Sequence, residues 1–236
     1  MAPAQAPQIR TLYQNFIDTN SPPIRQQTLL EAKLTEELLD DFLRSAPMFP
    51  NPIRVGLSPA YNEKDQLVAI ALATESKALV IQLGLRKDKK GSLPKGREPL
   101  LTKILCNPDC MLYVFGIAQV ALSLYLDHDL RILNGVNIES ICPESQDGFV
   151  SPLAAVKFAV GDQWPIHEDN VKAAFQDKLW DPKPAKHTSL ALKAWLAAFL
   201  PAIPGQEEQF NTVRRVNTKD QSSSVSERDE ISINTI

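Results

Sequence analysis

The chain has 236 residues, 44% of them hydrophobic, and 25 Lys and Arg stand against 28 Asp and Glu for a net charge of −3. That length fits one domain with appendages or two small ones, and that composition excludes a wholly disordered chain. The near-neutral balance excludes the overall basic footprint of a duplex-DNA binder and leaves room only for a local basic patch.

The first segment, Met1 to Pro23, is rich in Pro and Gln and reads as irregular. It lacks the cationic start and apolar core of a secretory signal. From Ile24 to Arg44 the apolar residues Leu29, Leu30, Leu34, Leu38, Leu39, Phe42 and Leu43 recur with a helical period. This predicts an amphipathic helix with Glu36, Glu37, Asp40 and Asp41 on its wet face, packed on its own domain or offered to a protein partner. Pro47, Pro50 and Pro52 end it.

Three strands follow: Ile53 to Leu57, Leu67 to Ala73 and Ala78 to Leu83. The polar turn Thr74 to Lys77 makes the last two an antiparallel hairpin. The run Arg86 to Glu98 carries Arg86, Lys87, Lys89, Lys90, Lys95 and Arg97 against Asp88 and Glu98, and its glycines and Pro94 predict a loop. Beyond it the period alternates. Pro99 to Leu105 reads as a helix, Met111 to Phe115 as a buried strand, Ile117 to Leu126 as a helix and Val136 to Ile138 as a short strand. Leu153 to Val160, Glu168 to Ala174 and Thr188 to Leu200 read as helices. Hairpins followed by β/α alternation predict an α/β domain with a mixed sheet covered by helices. Gly205 to Ile236 has few large apolar residues and reads as a disordered tail. The division is then 1–52, an extension with the amphipathic helix; 53–204, the main domain; and 205–236, the tail.

The apolar runs Met111 to Leu126 and Leu190 to Ile203 are interrupted by Gln119, Ser123, Lys193 and Pro201, so neither reaches the roughly 20 residues of a membrane span. Cys106, Cys110 and Cys142 are odd in number and lack zinc spacing, which favours a reducing compartment, cytoplasmic or nuclear. No G-x-S-x-G, P-loop or dinucleotide fingerprint occurs.

The ordered set of elements resembles the DEDD-type 3′–5′ exonucleases, an RNase-H-like family that includes ribonuclease D and the Werner-type domains. The residues that carry the resemblance are RVGLSPAY (Arg54 to Tyr61) followed by LVAIALATESKALVIQL, then LYVFGI (Leu112 to Ile117), DLRI (Asp129 to Ile132) and GVNI (Gly135 to Ile138). PLAAV (Pro152 to Val156), Leu179-Trp180 before Pro184, and the helix Ser189 to Leu200 complete it. The resemblance implies two Mg²⁺ or Mn²⁺ ions held by four carboxylates, clamping the attacking and leaving oxygens of a phosphodiester. Here those four positions fall on Ser58, Ala60, Val120 and Lys193, and the water-orienting Tyr falls on Ser189. None is acidic, and an ammonium at 193 repels the cations it should help to hold.

Glu63, Asp65, Asp127 and Asp129 read as loop charges, and His128 and His167 as surface histidines. The expectation is therefore a pseudo-nuclease without a metal cofactor, its four altered positions converging at one end of the sheet. Its partners would be single-stranded nucleic acid, RNA before DNA, at Arg86, Lys87, Lys89, Lys90, Lys95, Arg97 and Lys193, or a protein through the N-terminal helix. The alternative is an active exonuclease with relocated acids and Mg²⁺ or Mn²⁺.

Overall fold

The computed structural model describes residues 8–46, 52–84, 95–143, 150–176, 179–181 and 183–218. In chain order these form β1 (Gln8–Leu12), β2 (Ile24–Leu30), α1 (Glu36–Leu43), β3 (Ile53–Tyr61), β4 (Leu67–Ala73), β5 (Lys77–Gln82) and α2 (Arg97–Leu100). There follow β6 (Cys110–Val114), α3 (Ile117–His128), β7 (Gly135–Asn137), α4 (Pro152–Val160), α5 (Glu168–Gln176), α6 (Pro184–Phe199) and α7 (Glu207–Thr212).

Continuous apolar runs buried on both faces form the central strands. Thr74 N–H bonds to Lys77 O at 2.9 Å and closes the turn, so β4 and β5 pair antiparallel from Ala73↔Ala78 to Ala69↔Gln82. β3 joins β4 antiparallel and β6 parallel, and β7 extends the sheet in parallel. The seven strands run β1-β2-β5-β4-β3-β6-β7. Helices cover both faces, α4 to α7 on one and α1 to α3 on the other, each over its own apolar core. Strand directions and helix placement give the mixed α/β, RNase-H-like architecture that the sequence implied.

The face under α6 is made of small side chains. Ala60, Ala69, Ala71, Ala73 and Ala78 line it, and Gly56 completes it: a Cβ there would sit 1.9 Å from Ala194 O. The helix therefore rests almost directly on the sheet backbone.

Two expectations need correction. Ile24–Leu30 is a strand, not the start of a helix; Ile24 and Gln26 are buried while Arg25 between them is exposed, a period of two. Its partner is β5, in parallel register from Arg25↔Lys77 to Leu30↔Gln82. The helix begins only where Thr35 Oγ1 accepts the Leu38 N–H at 3.3 Å, a side-chain N-cap. Strands from both sides of position 53 thus share one sheet. At the other end, Glu207–Thr212 is helical with Phe210 buried, and Val216 bridges Gly135, so the described part of the expected tail is folded.

Among the described residues no helix is long and apolar enough to cross a membrane.

Candidate functional site

In open sheets with parallel strands, ligands gather beyond the carboxyl ends of those strands. Here that is where β3 runs past Val114, the end of β6. Alternation turns Ser58 and Ala60 to the α6 face, and both are buried, 5% and 6% exposed. Against them α6 presents Lys186, Ser189, Leu190 and Lys193, side chains three and four residues apart that share one helix face. Ala60 and these four residues, with Leu179 and Trp180, enclose a cavity of about 10 Å³. That is room for about one water. Leu179 bridges Tyr61, and Trp180 N–H donates to Tyr61 O at 2.7 Å. Trp180 also stacks on His187, with centroids 4.9 Å apart at 10°. This segment seals the site from the side.

The structure therefore brings together Ala60, Ser189 and Lys193, with Ser58 on the same sheet face. Val120 does not join them. It packs in the core on the opposite face, with Val55, Leu57, Leu112 and Val114. An apolar residue in the first turn of α3 is driven into that core, where a carboxylate would have been expelled from it. Of the four positions expected to converge, Ala60 and Lys193 line the cavity, Ser58 lies on the same sheet face, and Val120 lies on the other.

The donor set does not fit two hard divalent cations, which take carboxylate and carbonyl oxygens. The cavity offers a hydroxyl, a methyl group and ammonium groups, and Lys193 is only 8% exposed. No group of three His, Cys, Asp or Glu suited to a metal occurs among the described residues. The other acids have structural positions. Glu63 and Asp65 lie in the exposed β3–β4 turn, Asp127 Oδ2 accepts the Leu67 N–H at 2.8 Å, and Asp129 takes the left-handed C-cap of α3 at φ 57°.

Of the basic residues, Arg86, Lys87, Lys89 and Lys90 lie outside the described residues. Lys95 is exposed. Arg97 is not a surface cation: it is buried and paired with buried Glu31 at 2.7 Å. Its guanidinium also donates to His128 O at 3.0 Å and Gly84 O at 3.2 Å, while Glu31 accepts the Gly84 N–H at 2.9 Å. With both charges matched inside the protein, neither is available to phosphate. Lys193, beneath the Trp180 segment, is likewise too enclosed for a strand to reach. His128, read as a surface residue, is fully buried in the Arg97 network. His167 is at the surface, 2.8 Å from Asp18. The apolar residues Leu39 and Phe42 of α1 are buried in the protein's own core, which removes the expected partner-binding face.

One residue escaped sequence reasoning. Glu139 accepts the Gly116 N–H at 3.1 Å and so holds the start of α3, and burial pushes its carboxyl above the usual range. No local motif marks it, because the contact spans 23 residues.

No family model and no curated protein matches the chain. Solved structures do resemble it. Escherichia coli RNase D shares 14% identity and a TM-score of 0.49 over 75% of this chain and 42% of that one. The EXO domain of Aedes aegypti Nibbler shares 12% and 0.49 over 74% and 84%. The catalytic core of RRP6 from Trypanosoma brucei shares 16% and 0.44 over 70% and 42%. The chain thus spans less than half the length of two of these three. The architecture assigned above rests on the chain's own strand order and helix placement.

Proposed function

We propose that this chain is a binding module built on an exonuclease-like fold and that it does not hydrolyse phosphodiesters. One observation carries the reading: three positions that the resemblance reserves for metal-holding carboxylates or their water-orienting partner are Ala60, Ser189 and Lys193, closed around room for about one water. A site that cannot neutralise the charge of a pentacovalent phosphate lacks the main source of rate for that chemistry. No catalytic step is assigned.

The ligand of the module is single-stranded nucleic acid, RNA before DNA, held on phosphates by Arg86, Lys87, Lys89, Lys90 and Lys95. Binding of that kind weakens steeply with salt. Cys106, Cys110 and Cys142 form no disulfide, which fits a reducing cytoplasmic or nuclear setting.

The test uses the full chain with end-labelled single-stranded RNA and DNA, Mg²⁺ or Mn²⁺, and a parallel binding titration at several salt concentrations. The expected result is intact substrate and salt-dependent binding that is lost when the five loop cations are replaced by Gln. Metal-dependent shortening from the 3′ end overturns the reading in favour of an exonuclease with relocated acids. Intact substrate with no binding at any salt removes nucleic acid and leaves a protein partner.

A further inference from the structure

A second and larger cavity, of about 380 Å³, opens at the other end of the sheet, between the β1–β2 link, the β4–β5 turn and the end of α6. That size lies at the lower end of small-ligand sites. Its lining is the segment Thr19 to Pro22 on one side, and the rings of Trp164, Trp195 and Phe199 with the Glu75 carboxylate on the other. Trp195 forms the buried floor and stacks on Phe199 at 4.7 Å and 17°, and Trp164 stands 6.0 Å from Phe199 at 45°, so the rings make a wedge. The Trp195 indole N–H is already taken by Glu75 O at 3.1 Å, so that ring has no donor left to offer a ligand. Among the described residues Glu75 is the only charged one in the lining.

The rim is built in advance. Gln14 Nε2 donates to Ile17 O at 2.6 Å, its Oε1 accepts the Phe16 and Ile17 N–H groups, and Thr19 Oγ1 bonds Ser21 Oγ. Asp18 N–H to Pro165 O at 3.0 Å and His167 N–H to Phe16 O at 2.8 Å fasten this rim to the segment that carries Trp164.

We propose that this cavity binds an organic cation, an ammonium or guanidinium group. The partly exposed rings of Trp164 and Phe199 and the Glu75 carboxylate attract positive charge and repel an anion, and aromatic cages are a recognised solution for such groups. Arg54 approaches Glu75 Oε1 at 3.7 Å, and a bound cation competes with it for the carboxylate. The proposal is independent of the closed cavity at Lys193, and a nuclease assay does not bear on it.

The experiment is calorimetric titration of the full chain with tetramethylammonium and with short blocked peptides carrying one arginine, one trimethyllysine or one citrulline. Saturable binding of a cation is expected, about tenfold or more tighter for the arginine than for the neutral citrulline peptide. Glu75→Gln, an isosteric change at a half-buried turn residue, should weaken cation binding several-fold, and Trp164→Ala should abolish it while Trp164→Phe retains it. If Trp164→Ala does not fold, Glu75→Gln decides. Binding of tetramethylammonium identifies a free small cation as sufficient; binding of the cationic peptides alone identifies a side chain on a partner polypeptide. Equal affinity for arginine and citrulline, no saturable binding of any cation in the millimolar range, or wild-type affinity in Glu75→Gln overturns the proposal.

Discussion

The ion pair of Glu31 and Arg97 shows how one buried contact organises distant segments. Both side chains are 2% exposed, and the pair joins the end of β2, the end of β5 at Gly84, α2 and the end of α3. Removing one partner strands the other charge in the interior, which costs about 3–5 kcal/mol. Arg97→Met is therefore expected to lower the urea midpoint strongly, and the double variant Glu31→Leu, Arg97→Met should recover much of the loss. His128 lies in the same network. Its Nε2 is 2.6 Å from Leu67 O and its Nδ1 is 3.3 Å from Arg97 Nη2, which requires a neutral ring protonated at Nε2. Burial, with the Arg97 guanidinium adding to it, holds its pKa below the ordinary value, and burial does the same to His187. Unfolding frees both rings to take up protons near about pH 6.5, so their contribution to stability is full above that pH and is lost as pH falls through it. Unfolding midpoints measured at pH 7.5 and 5.5 should show the drop, and a stability that rises on acidification would contradict the neutral, buried rings. Cys110 gives a simpler check. Burial pushes its thiol up to about 12, so a thiol reagent at neutral pH should label the partly exposed Cys106 first and reach Cys110 only on unfolding.

The packing of α6 explains why the cavity at Ala60 and Lys193 is small. Gly56 approaches the backbone of Ala194 and Ala198 so closely that even a methyl group would clash, and Gly56→Ala is expected to cost about 1–3 kcal/mol or more. Ser58 and Ala60 continue the same small face, so Ala60→Glu should destabilise the domain by burying a charge rather than create a metal ligand. Urea unfolding of both variants measures this; an Ala60→Glu protein of wild-type stability would mean that the cavity opens freely. These contacts also mark what the sequence carried and what it did not. β3, β4, β5 and β6 were readable because apolar runs of strand length and a short turn are local signals. Ile24–Leu30 was misread because Leu29, Leu30, Leu34, Leu38 and Phe42 happen to fall at helical intervals. What makes the segment a strand is its parallel pairing with β5, whose residues lie about 50 positions along the chain, and no local pattern reports such a partner. That Ser58, Ala60 and Lys193 are not acidic was legible from residue identity alone. The face to which Val120 turns and the burial of Arg97 were not, since both depend on which core a neighbouring element supplies.

The sheet is continuous from β1 to β7 and separates two cores, so the N-terminal residues belong to the cooperative unit rather than hang from it. β1 and β2 extend the sheet beyond β5; Phe16, Ile17 and Ile24 enter the core on the α6 face, and Leu29 and Phe42 enter the other. A chain beginning at Ile53 would lose all of these. It would expose six residues of β5 that now pair with β2, leaving an unpaired edge of the kind that recruits other chains. It would also leave the Arg97 guanidinium without Glu31. Such a truncated protein is expected to aggregate or to lose its cooperative unfolding, whereas the full chain should unfold with coincident transitions in far-ultraviolet circular dichroism and tryptophan fluorescence. The fluorescence reports Trp164, Trp180 and Trp195 on the α6 side of the sheet, and the circular dichroism reports helices on both sides. Separate transitions in the full chain, or a soluble, cooperatively folding 53–236 fragment, would show that the two cores are independent and that the first 52 residues are an appendage.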